Sequence, residues 1–365
     1  MLKIGIVGLP NVGKSTLFNA LTKASVPAEN YPFCTIDPSV GIVGVPDARL
    51  EKLSTLSRSA KTIPAAIEFV DIAGLVKGAA EGQGLGNQFL THIRETDAIL
   101  QVVRFFDDPN VLHVEENVEP YRDMEIINLE LVLADAEQVR KRRDKLAGDL
   151  RSGDKKAIIE DAALTKLERA FSMGTFALHA ALTDDEKKSV AHLNLLTMKP
   201  VLYALNQKNG GHNLDELVDG RAERAYELIK SLDARFVMVD AATERELNDV
   251  ADSDRQGFRQ ELGVNEDGLA GLIRGAYDTL GLISFFTTGE DETRAWTVPA
   301  GSAAPVAGAA IHHDFMEKFI RAEVVSTDDL LAAGSWIAAR EAAKVRTEGK
   351  DYIVQDGDVV IFLHG

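Results

Sequence analysis

Cysteine is scarce in this 365-residue sequence and occurs only once, at Cys34. A single cysteine excludes an intramolecular disulfide and a four-cysteine zinc site, and it is typical of a reducing compartment. The sequence contains no run of about 18 apolar residues, so it predicts no membrane-spanning helix. The apolar stretch at residues 1–7 has only the length of a strand, which is too short for a signal peptide. We therefore expect a cytoplasmic protein with no membrane partner.

Basic residues are also scarce, since 40 Lys and Arg stand against 57 Asp and Glu and leave a net charge of −17. This excess of negative charge repels nucleic acid at long range, and DNA is not expected as a partner. One stretch, residues 140–156, departs from the average because it contains eight basic and three acidic side chains. It is either a solvated helix face or a contact for an anionic partner. Its basic residues are Arg140, Lys141, Arg142, Arg143, Lys145, Arg151, Lys155 and Lys156.

A phosphate-binding loop follows the first predicted strand. After the apolar residues 2–7 comes Gly8-Leu9-Pro10-Asn11-Val12-Gly13-Lys14-Ser15, which matches G-x-x-x-x-G-K-[ST] at every fixed position, and a helix is predicted from Thr16. The glycines let the backbone curl so that N–H groups point at phosphates, where a helix N-terminus adds positive potential. Lys14 would reach the β- and γ-phosphates. We assign nucleotide binding here to Asn11, Val12, Gly13, Lys14, Ser15 and Thr16.

Three further residues are predicted to complete the phosphate and magnesium site. A strand over residues 67–71 ends in Asp71, a candidate Mg²⁺ ligand through water, and Gly74 follows at the position that senses the γ-phosphate in Ras-like proteins. Between the two motifs lies a proline-punctuated segment in which Thr35 is the best candidate for a second hydroxyl ligand beside Ser15. The predicted metal set is therefore Ser15, Thr35 and Asp71 around Mg²⁺. The predicted catalytic set includes Lys14 and Gly74.

Base recognition is predicted from the end of a strand over residues 199–205. That strand leads into Asn206-Gln207-Lys208-Asn209, where Ras-like GTPases carry Asn-Lys-x-Asp and the Asp accepts hydrogen bonds from guanine. Asn209 lacks the negative charge of that Asp, so guanine selectivity should be lost or much reduced. A further strand over residues 236–240 leads into a second candidate base loop. The predicted contacts are Asn206, Gln207, Ala241 and Ala242.

Five stretches of sequence resemble one family, the YchF / Obg-like ATPases. They are Asn-Tyr-Pro-Phe-Cys-Thr-Ile-Asp-Pro (30–38), Asp-Ile-Ala-Gly-Leu-Val-Lys-Gly-Ala (71–79), Gly-Gln-Gly-Leu-Gly-Asn-Gln-Phe-Leu (82–90), Arg-Asp-Met-Glu-Ile-Ile-Asn-Leu-Glu-Leu (122–131) and Glu-Gly-Lys-Asp-Tyr-Ile-Val-Gln-Asp-Gly-Asp-Val-Val (348–360). The resemblance spans nearly the whole chain. It implies a translation-factor-class P-loop protein that prefers ATP to GTP and associates with ribosomes.

The resemblance also implies how the chain would handle water. Members lack the catalytic glutamine of Ras, and Leu75 stands at that position here. By family analogy a histidine orients the water, and His113 is the best match, with His92 as the competing candidate. Two departures from the family are visible. The family's base motif is usually Asn-x-x-Glu, and this chain has Asn209 at the position of the Glu. The family's Gly-x-Val after the histidine is replaced here by Glu116-Asn117-Val118.

The domain organisation is read from changes in periodicity. Residues 121–196 have helical periodicity and predict two long antiparallel helices, over residues 129–146 and 157–180. This segment is predicted to be an insertion in a nucleotide domain that consists of residues 1–120 and 197–281. After Leu282 the pattern changes to short strands near residues 284–287, 295–298, 322–325 and 359–363, with one helix at 312–319. Residues 282–365 resemble the family's TGS domain, a small ubiquitin-like β-grasp. The predicted fold is thus a Ras-like α/β P-loop domain with an inserted α-helical hairpin and a C-terminal α+β domain.

These features predict a switch that binds and hydrolyses ATP with Mg²⁺, releases ADP and phosphate slowly without a partner, and acts at the ribosome (large subunit or 70S) through the helical arm and the TGS domain. A GTPase of the same architecture is one alternative. Because Leu75 replaces the glutamine, a nucleotide-binding scaffold with negligible turnover is another.

Overall fold

The computed structural model describes residues 2–23, 39–72, 85–108, 117–262 and 268–364. Within these ranges the chain forms two large sheets, one two-stranded sheet and a set of helices that cover them. The strands are β1 Lys3–Val7, β2 Val40–Gly44, β3 Lys61–Ile63, β4 Ala66–Asp71, β5 Ala98–Arg104, β6 Phe106–Asp107, β7 Val201–Asn206, β8 His212–Asn213, β9 Arg235–Val239, β10 Leu282–Thr288, β11 Glu292–Pro299, β12 Phe319–Ser326, β13 Arg346–Glu348 and β14 Asp358–His364.

The helices follow the same chain order. They are α1 Lys14–Lys23, α2 Ala48–Ser57, α3 Leu85–Arg94, α4 Pro120–Arg151, α5 Lys155–Ser172, α6 Asp184–Val190, α7 Arg221–Ser231, α8 Ala241–Leu247, α9 Asp252–Glu261, α10 Gly268–Thr279, α11 Ala304–Ile311, α12 Asp314–Glu317, α13 Thr327–Ala333 and α14 Trp336–Glu341. In the described part of the chain, no helix is both long enough and apolar enough to cross a membrane.

The first sheet has the order β2-β4-β1-β5-β7-β9, in which β2 alone runs antiparallel to its neighbour. All seven residues of β5 are buried, as expected for a central parallel strand with helices on both faces. The four strands predicted around residues 67–71, 98–104, 199–205 and 236–240 are all present within two residues of those limits. Their carboxyl ends lie at one edge of the sheet, and this edge carries the site described below.

Helices α4 and α5 form a hairpin in the region where two antiparallel helices were predicted, and α4 begins nine residues before the predicted start at residue 129. Helix α4 is 32 residues long, and only residues 152–154 separate it from α5. The side chain of Asp154 begins α5 by accepting hydrogen bonds from the backbone N–H groups of Lys156 and Ala157, at 2.7 and 3.2 Å. Helix α5 ends at Ser172, before the predicted Ala180, because Gly174 adopts a positive φ of 70° and breaks the helix.

Two arginines of the basic stretch at residues 140–156 contact α5, the second helix of the hairpin. The guanidinium of Arg142 forms two hydrogen bonds with Glu160, at 2.6 and 2.8 Å, and Arg143 contacts Asp161 at 3.1 Å and Glu168 at 2.5 Å. These pairs cross from α4 to α5, so they stabilise the hairpin. The exposed basic side chains of the stretch are Arg140, Lys141, Lys145, Arg151, Lys155 and Lys156.

The second sheet has the order β13-β12-β14-β10-β11-β3 and contains all four strands predicted after Leu282. Its last strand comes from far away in the sequence, since β3 at residues 61–63 pairs in parallel with β11 at residues 292–294. The helix predicted at residues 312–319 is wrong in extent. The main helix there is α11, which has Pro305 in its first turn. It ends before His312, whose backbone is extended with a φ of −158°. Only Asp314–Glu317 form a short helix before Phe319 enters β12 and is buried.

Candidate nucleotide-binding site

The loop between β1 and α1 is a tight turn that requires glycine at two positions. Gly13 has a φ of 102°, and a Cβ added there would lie 2.3 Å from Nδ2 of Asn206. A Cβ on Gly8 would lie 2.6 Å from the carbonyl oxygen of Val102. A side chain at Gly13 would displace the Asn206 amide, and one at Gly8 would clash with the backbone of β5, so glycine at both positions lets the loop pack against the carboxyl ends of β5 and β7. This conformation places the start of α1 at the edge of the sheet.

Lys14, the lysine of the loop motif, is 9% exposed. Its Nζ donates a hydrogen bond to the carbonyl oxygen of Leu9 at 2.8 Å, which bends the side chain back over the loop. Burial lowers the pKa of Lys14, and the negative charge of Asp71 partly opposes this shift. A buried ammonium group at a helix N-terminus is suited to bind phosphate oxygens.

Asp71 is the last residue of β4 and lies next to the same loop. Its Cα is the register partner of Ile6 on β1, two residues before Gly8. Burial raises the pKa of the Asp71 carboxyl, and the positive charge of Lys14 opposes the shift. The two predicted site residues therefore influence each other electrostatically. Asp71 is not in the wall of the cavity itself, which is formed by the residues described next.

A cavity of about 440 Å³ opens at this edge of the sheet. All ten residues predicted for nucleotide binding line it, namely Asn11, Val12, Gly13, Lys14, Ser15, Thr16, Asn206, Gln207, Ala241 and Ala242. These residues come from three separate segments of the chain, which meet because β1, β7 and β9 end at the same edge of the sheet. An elongated ligand with one anionic end would suit such a cavity, since the phosphate loop forms one part of its wall.

Asn206 joins two of these segments. Its Nδ2 donates to the carbonyl oxygen of Val12 at 2.9 Å, and its Oδ1 accepts from the backbone N–H of Ala241 at 3.1 Å. The side chain is 5% exposed, so both hydrogen bonds are shielded from water. The phosphate loop and the start of α8 are thus held at a fixed spacing by one amide group.

Asn209 contributes to the surroundings of the cavity but does not line it. Its side-chain Nδ2 donates to the carbonyl oxygen of Leu262 at 3.0 Å, and its backbone N–H donates to Asp240 at 2.6 Å. The side chain that would replace the guanine-binding carboxylate of a GTPase is therefore both neutral and bonded elsewhere.

Three cavity residues were not predicted from the sequence: Phe106, Asp108 and Lys208. Lys208 lies inside the recognised motif, at its variable position, where the pattern assigns no role. Phe106 and Asp108 follow the end of the central strand β5, and the rule that ligands bind at the carboxyl ends of parallel strands was the available signal for them. Three predicted residues, Thr35, Gly74 and His113, lie outside the described residues, as do Cys34 and Leu75. His92 is exposed in the last turn of α3.

Known proteins match this chain over nearly its whole length. Residues 3–137 match a family described as 50S ribosome-binding GTPase, and residues 282–364 match YchF-GTPase_C, described as a protein of unknown function. The protein named ribosome-binding ATPase YchF from Bacillus subtilis (strain 168) is 49% identical over 365 residues, covering 99% of this chain and 98% of that one. Its namesake from Escherichia coli O157:H7 is 46% identical with the same coverage.

The chain belongs to the YchF family. A solved member, described as the Schizosaccharomyces pombe YchF GTPase, superimposes with a TM-score of 0.86 at 36% identity, over 99% of this chain and 97% of that one. As a YchF-family member, the chain has an α/β P-loop GTPase fold followed by a C-terminal domain. The resemblance drawn from the five sequence stretches is thereby confirmed at the level of the family.

Proposed function

We propose that this chain is a nucleotide-dependent switch that binds and hydrolyses ATP in preference to GTP, with Mg²⁺, and that it acts at the ribosome. The observation that carries the proposal is the single cavity lined by the phosphate loop and by both predicted base segments. Nucleotide binding follows from the loop chemistry, because Gly13, Lys14 and the N-terminus of α1 present donors and positive charge to phosphates.

Magnesium fits the donor chemistry of the site. Ser15 lies exposed on the cavity wall, and the Asp71 carboxylate lies at the end of the adjacent strand. Both offer oxygen atoms, which Mg²⁺ prefers as ligands, and Thr35 is the third residue proposed to hold the ion. Bound there, Mg²⁺ would balance the charge of the β- and γ-phosphates. Lys14 and Gly74 are proposed to bind the same phosphates, and His113 to orient the attacking water.

The preference for adenine rests on Asn209. Selectivity for guanine in a fold of this kind depends on a carboxylate that accepts two guanine N–H groups. Here the corresponding side chain is an amide that donates to Leu262 instead. A GTPase of the same architecture remains the second candidate, because the matching N-terminal family and the fission-yeast relative are both described as GTPases.

Binding calorimetry with Mg²⁺ and four nucleotides tests the base preference: ADP, GDP and the non-hydrolysable analogues of ATP and GTP. We expect adenine nucleotides to bind at least tenfold more tightly, a gap of about 1.4 kcal/mol. Equal binding, or tighter binding of guanine, would favour the GTPase. Lys14→Ala serves as the negative control, because it removes the phosphate-binding ammonium. The rate of phosphate release from ATP is then compared between the unmodified chain and Lys14→Ala, with and without ribosomes. If the unmodified chain is no faster than Lys14→Ala, the chain is a nucleotide-binding scaffold and not an ATPase.

Ribosome association is proposed on the names of the relatives and on the exposed part of the basic stretch at residues 140–156. The helical arm and the C-terminal domain, which we infer to be a TGS domain of the β-grasp type, are the proposed contacts with the large subunit or the 70S particle. Co-sedimentation with purified ribosomes tests the arm. Charge reversal is best applied to Arg140, Lys145 and Lys155, because Arg142 and Arg143 also hold the hairpin together.

A further inference from the structure

Two histidines and an aspartate lie together at the junction of α11 and α12. His312 follows the last residue of α11, His313 immediately precedes α12, and Asp314 is the first residue of α12. The centres of the two imidazole rings are 4.3 Å apart. Nδ1 of His312 lies 3.8 Å from one carboxylate oxygen of Asp314, and Nε2 of His313 lies 3.3 Å from the other. Three side chains that can bind a metal ion therefore meet at one small region of the surface.

The spacing of these three side chains is close to that of a tetrahedral zinc site. Zn²⁺ binds imidazole nitrogen and carboxylate oxygen at about 2.0–2.2 Å, so two ligand atoms around it lie about 3.4 Å apart. The nitrogen–oxygen distances of 3.3 and 3.8 Å are near this value. All the ligand atoms lie within 4.8 Å of one another, and among the residues that the structure describes no other three His, Cys, Asp or Glu side chains do so. Rotation of two exposed imidazole rings is enough to close the remaining gap.

The backbone that carries the three side chains is anchored to the core of the C-terminal domain. The N–H of His312 donates to the carbonyl oxygen of Gly308 at 3.1 Å, and the N–H of Phe315 donates to that of His312 at 3.0 Å. The ring of Phe315 packs against the buried Phe362 of β14, with 5.8 Å between the ring centres. A Cβ on Gly308 would lie 2.8 Å from the Cβ of Phe315, so α11 and α12 are in close contact. An ion would therefore need only side chains to reorient.

The contacts that these side chains already make are long ones. The backbone N–H of Asp314 donates to Nδ1 of His312 at 3.3 Å, and Nζ of Lys318 lies 3.3 Å from Oδ2 of Asp314. Both distances exceed the range of good N–H···O hydrogen bonds, so a metal ion replaces weak contacts. The side chain of Lys318 is 52% exposed and can turn into solvent. The side chains of His312 and His313 are 56% and 82% exposed, so an ion reaches them without any opening of the fold.

We propose that His312, His313 and Asp314 bind a divalent transition-metal ion of the Zn²⁺ class, which joins the end of α11 to the start of α12. Two imidazole nitrogens and one carboxylate oxygen suit Zn²⁺, with water completing the coordination. Mg²⁺ and Ca²⁺ prefer oxygen ligands, and the site offers a single carboxylate. Residues 282–365 contain thirteen acidic and seven basic side chains, and this negative charge attracts cations. The site lies outside the nucleotide cavity and does not depend on the function proposed above.

Calorimetric titration of the whole chain with Zn²⁺ tests the site. The parent protein carries Cys34→Ser, which removes the one thiol of the chain as a competing ligand, and excess Mg²⁺ occupies sites that prefer hard cations. We expect the parent to bind Zn²⁺. His312→Ala and His313→Ala should each weaken this binding by about tenfold or more, because each removes one of three protein ligands. Asp314→Asn should also weaken it, because the amide keeps the shape of the side chain but lacks the charge.

The matched control is His192→Ala. His192 is 51% exposed and has Nε2 at 3.5 Å from the Glu160 carboxylate, but it belongs to no described group of three ligands, so the variant should bind Zn²⁺ as the parent does. Thermal unfolding in a chelator shows whether each variant is folded, and Zn²⁺ should then raise the Tm of the parent but not that of His312→Ala or His313→Ala.

Three results would overturn the proposal. The first is a parent protein that does not bind Zn²⁺. The second is folded His312→Ala and His313→Ala variants whose affinity for Zn²⁺ stays within about twofold of the parent. The third is an equal loss of affinity in His192→Ala, which would show that Zn²⁺ binds surface histidines without selectivity. Since nucleotide is absent from these titrations, none of the three results bears on the proposed ATPase.

Discussion

Asn206 and Gly13 are in such close contact that a single Cβ on Gly13 would lie 2.3 Å from the Asn206 amide nitrogen. The glycine leaves the space in which this amide reaches the carbonyl oxygen of Val12 and the N–H of Ala241. The phosphate loop and the base segment therefore share one buried hydrogen-bond bridge. A ligand that spans both segments would depend on this bridge for their correct spacing.

Replacing Asn206 should accordingly weaken nucleotide binding. Asn206→Ala removes two buried hydrogen bonds, which together contribute about 1–3 kcal/mol, so we expect roughly tenfold or weaker affinity by calorimetry. Asn206→Asp should also bind weakly, because a carboxylate cannot donate to Val12. Asn19→Ala, on the exposed side of α1, is the matched control and should bind normally. Unchanged affinity in Asn206→Ala would show that the bridge has no part in binding.

The proposed role of His113 predicts a separation of turnover from binding. His113→Ala should abolish ATP hydrolysis while ATP affinity stays the same, because a water-orienting group does not need to contact the ground-state nucleotide. His92→Ala is the control and should hydrolyse ATP at the normal rate. Single-turnover phosphate release and calorimetry measure the two quantities. Full turnover in His113→Ala, or loss of turnover in His92→Ala alone, would transfer the role to another residue.

The helical hairpin should depend on Arg142 for its stability. Glu160 is 7% exposed and has both carboxylate oxygens bonded to Arg142, so Arg142→Ala leaves a buried charge without its partner. We expect a loss of about 1–2 kcal/mol in the free energy of unfolding, measured in urea. The control is Arg140→Ala, an exposed residue two positions earlier on α4, which should change the free energy of unfolding by less than about 0.5 kcal/mol. Similar losses in both variants would contradict the assignment.

The second sheet is attached to the segment between β2 and β4 through Arg49. Its Nη1 contacts Asp356 at 2.7 Å, and its guanidinium lies 5.3 Å from the centre of the Phe286 ring. Asp356→Ala should cost about 1 kcal/mol of stability, and a double-mutant cycle with Arg49→Ala should show coupling between the two. The exposed pair of Lys344 and Asp329 in the same region is the control, and Lys344→Ala should have little effect. Additive losses in the cycle would show that the ion pair does not hold the sheet.

Much of the site was predictable because its chemistry is local. The loop motif, the strand before it and the helix after it are contiguous, so the residue types alone specify a phosphate site. The strand that ends in Asp71 and the two base segments were recognised for the same reason. Each is a short pattern at the end of an apolar strand, and all ten predicted binding residues line one cavity.

Contacts between distant segments were not predictable in this way. Nothing in the sequence around Lys208 indicates that its ammonium group pairs with Asp108, a hundred residues earlier, because only the order of the strands brings the two loops together. The position of β3 beside β11 in the second sheet was equally unpredictable. So were the ion pairs of Arg142 and Arg143 with acidic residues of α5, since the sequence alone left these two arginines as candidate contacts for an anionic partner. Sequence determined the chemistry of the phosphate loop through residue type and spacing, whereas tertiary structure decided which charges are paired and which face the cavity, since pairing depends on distances that the chain order does not contain.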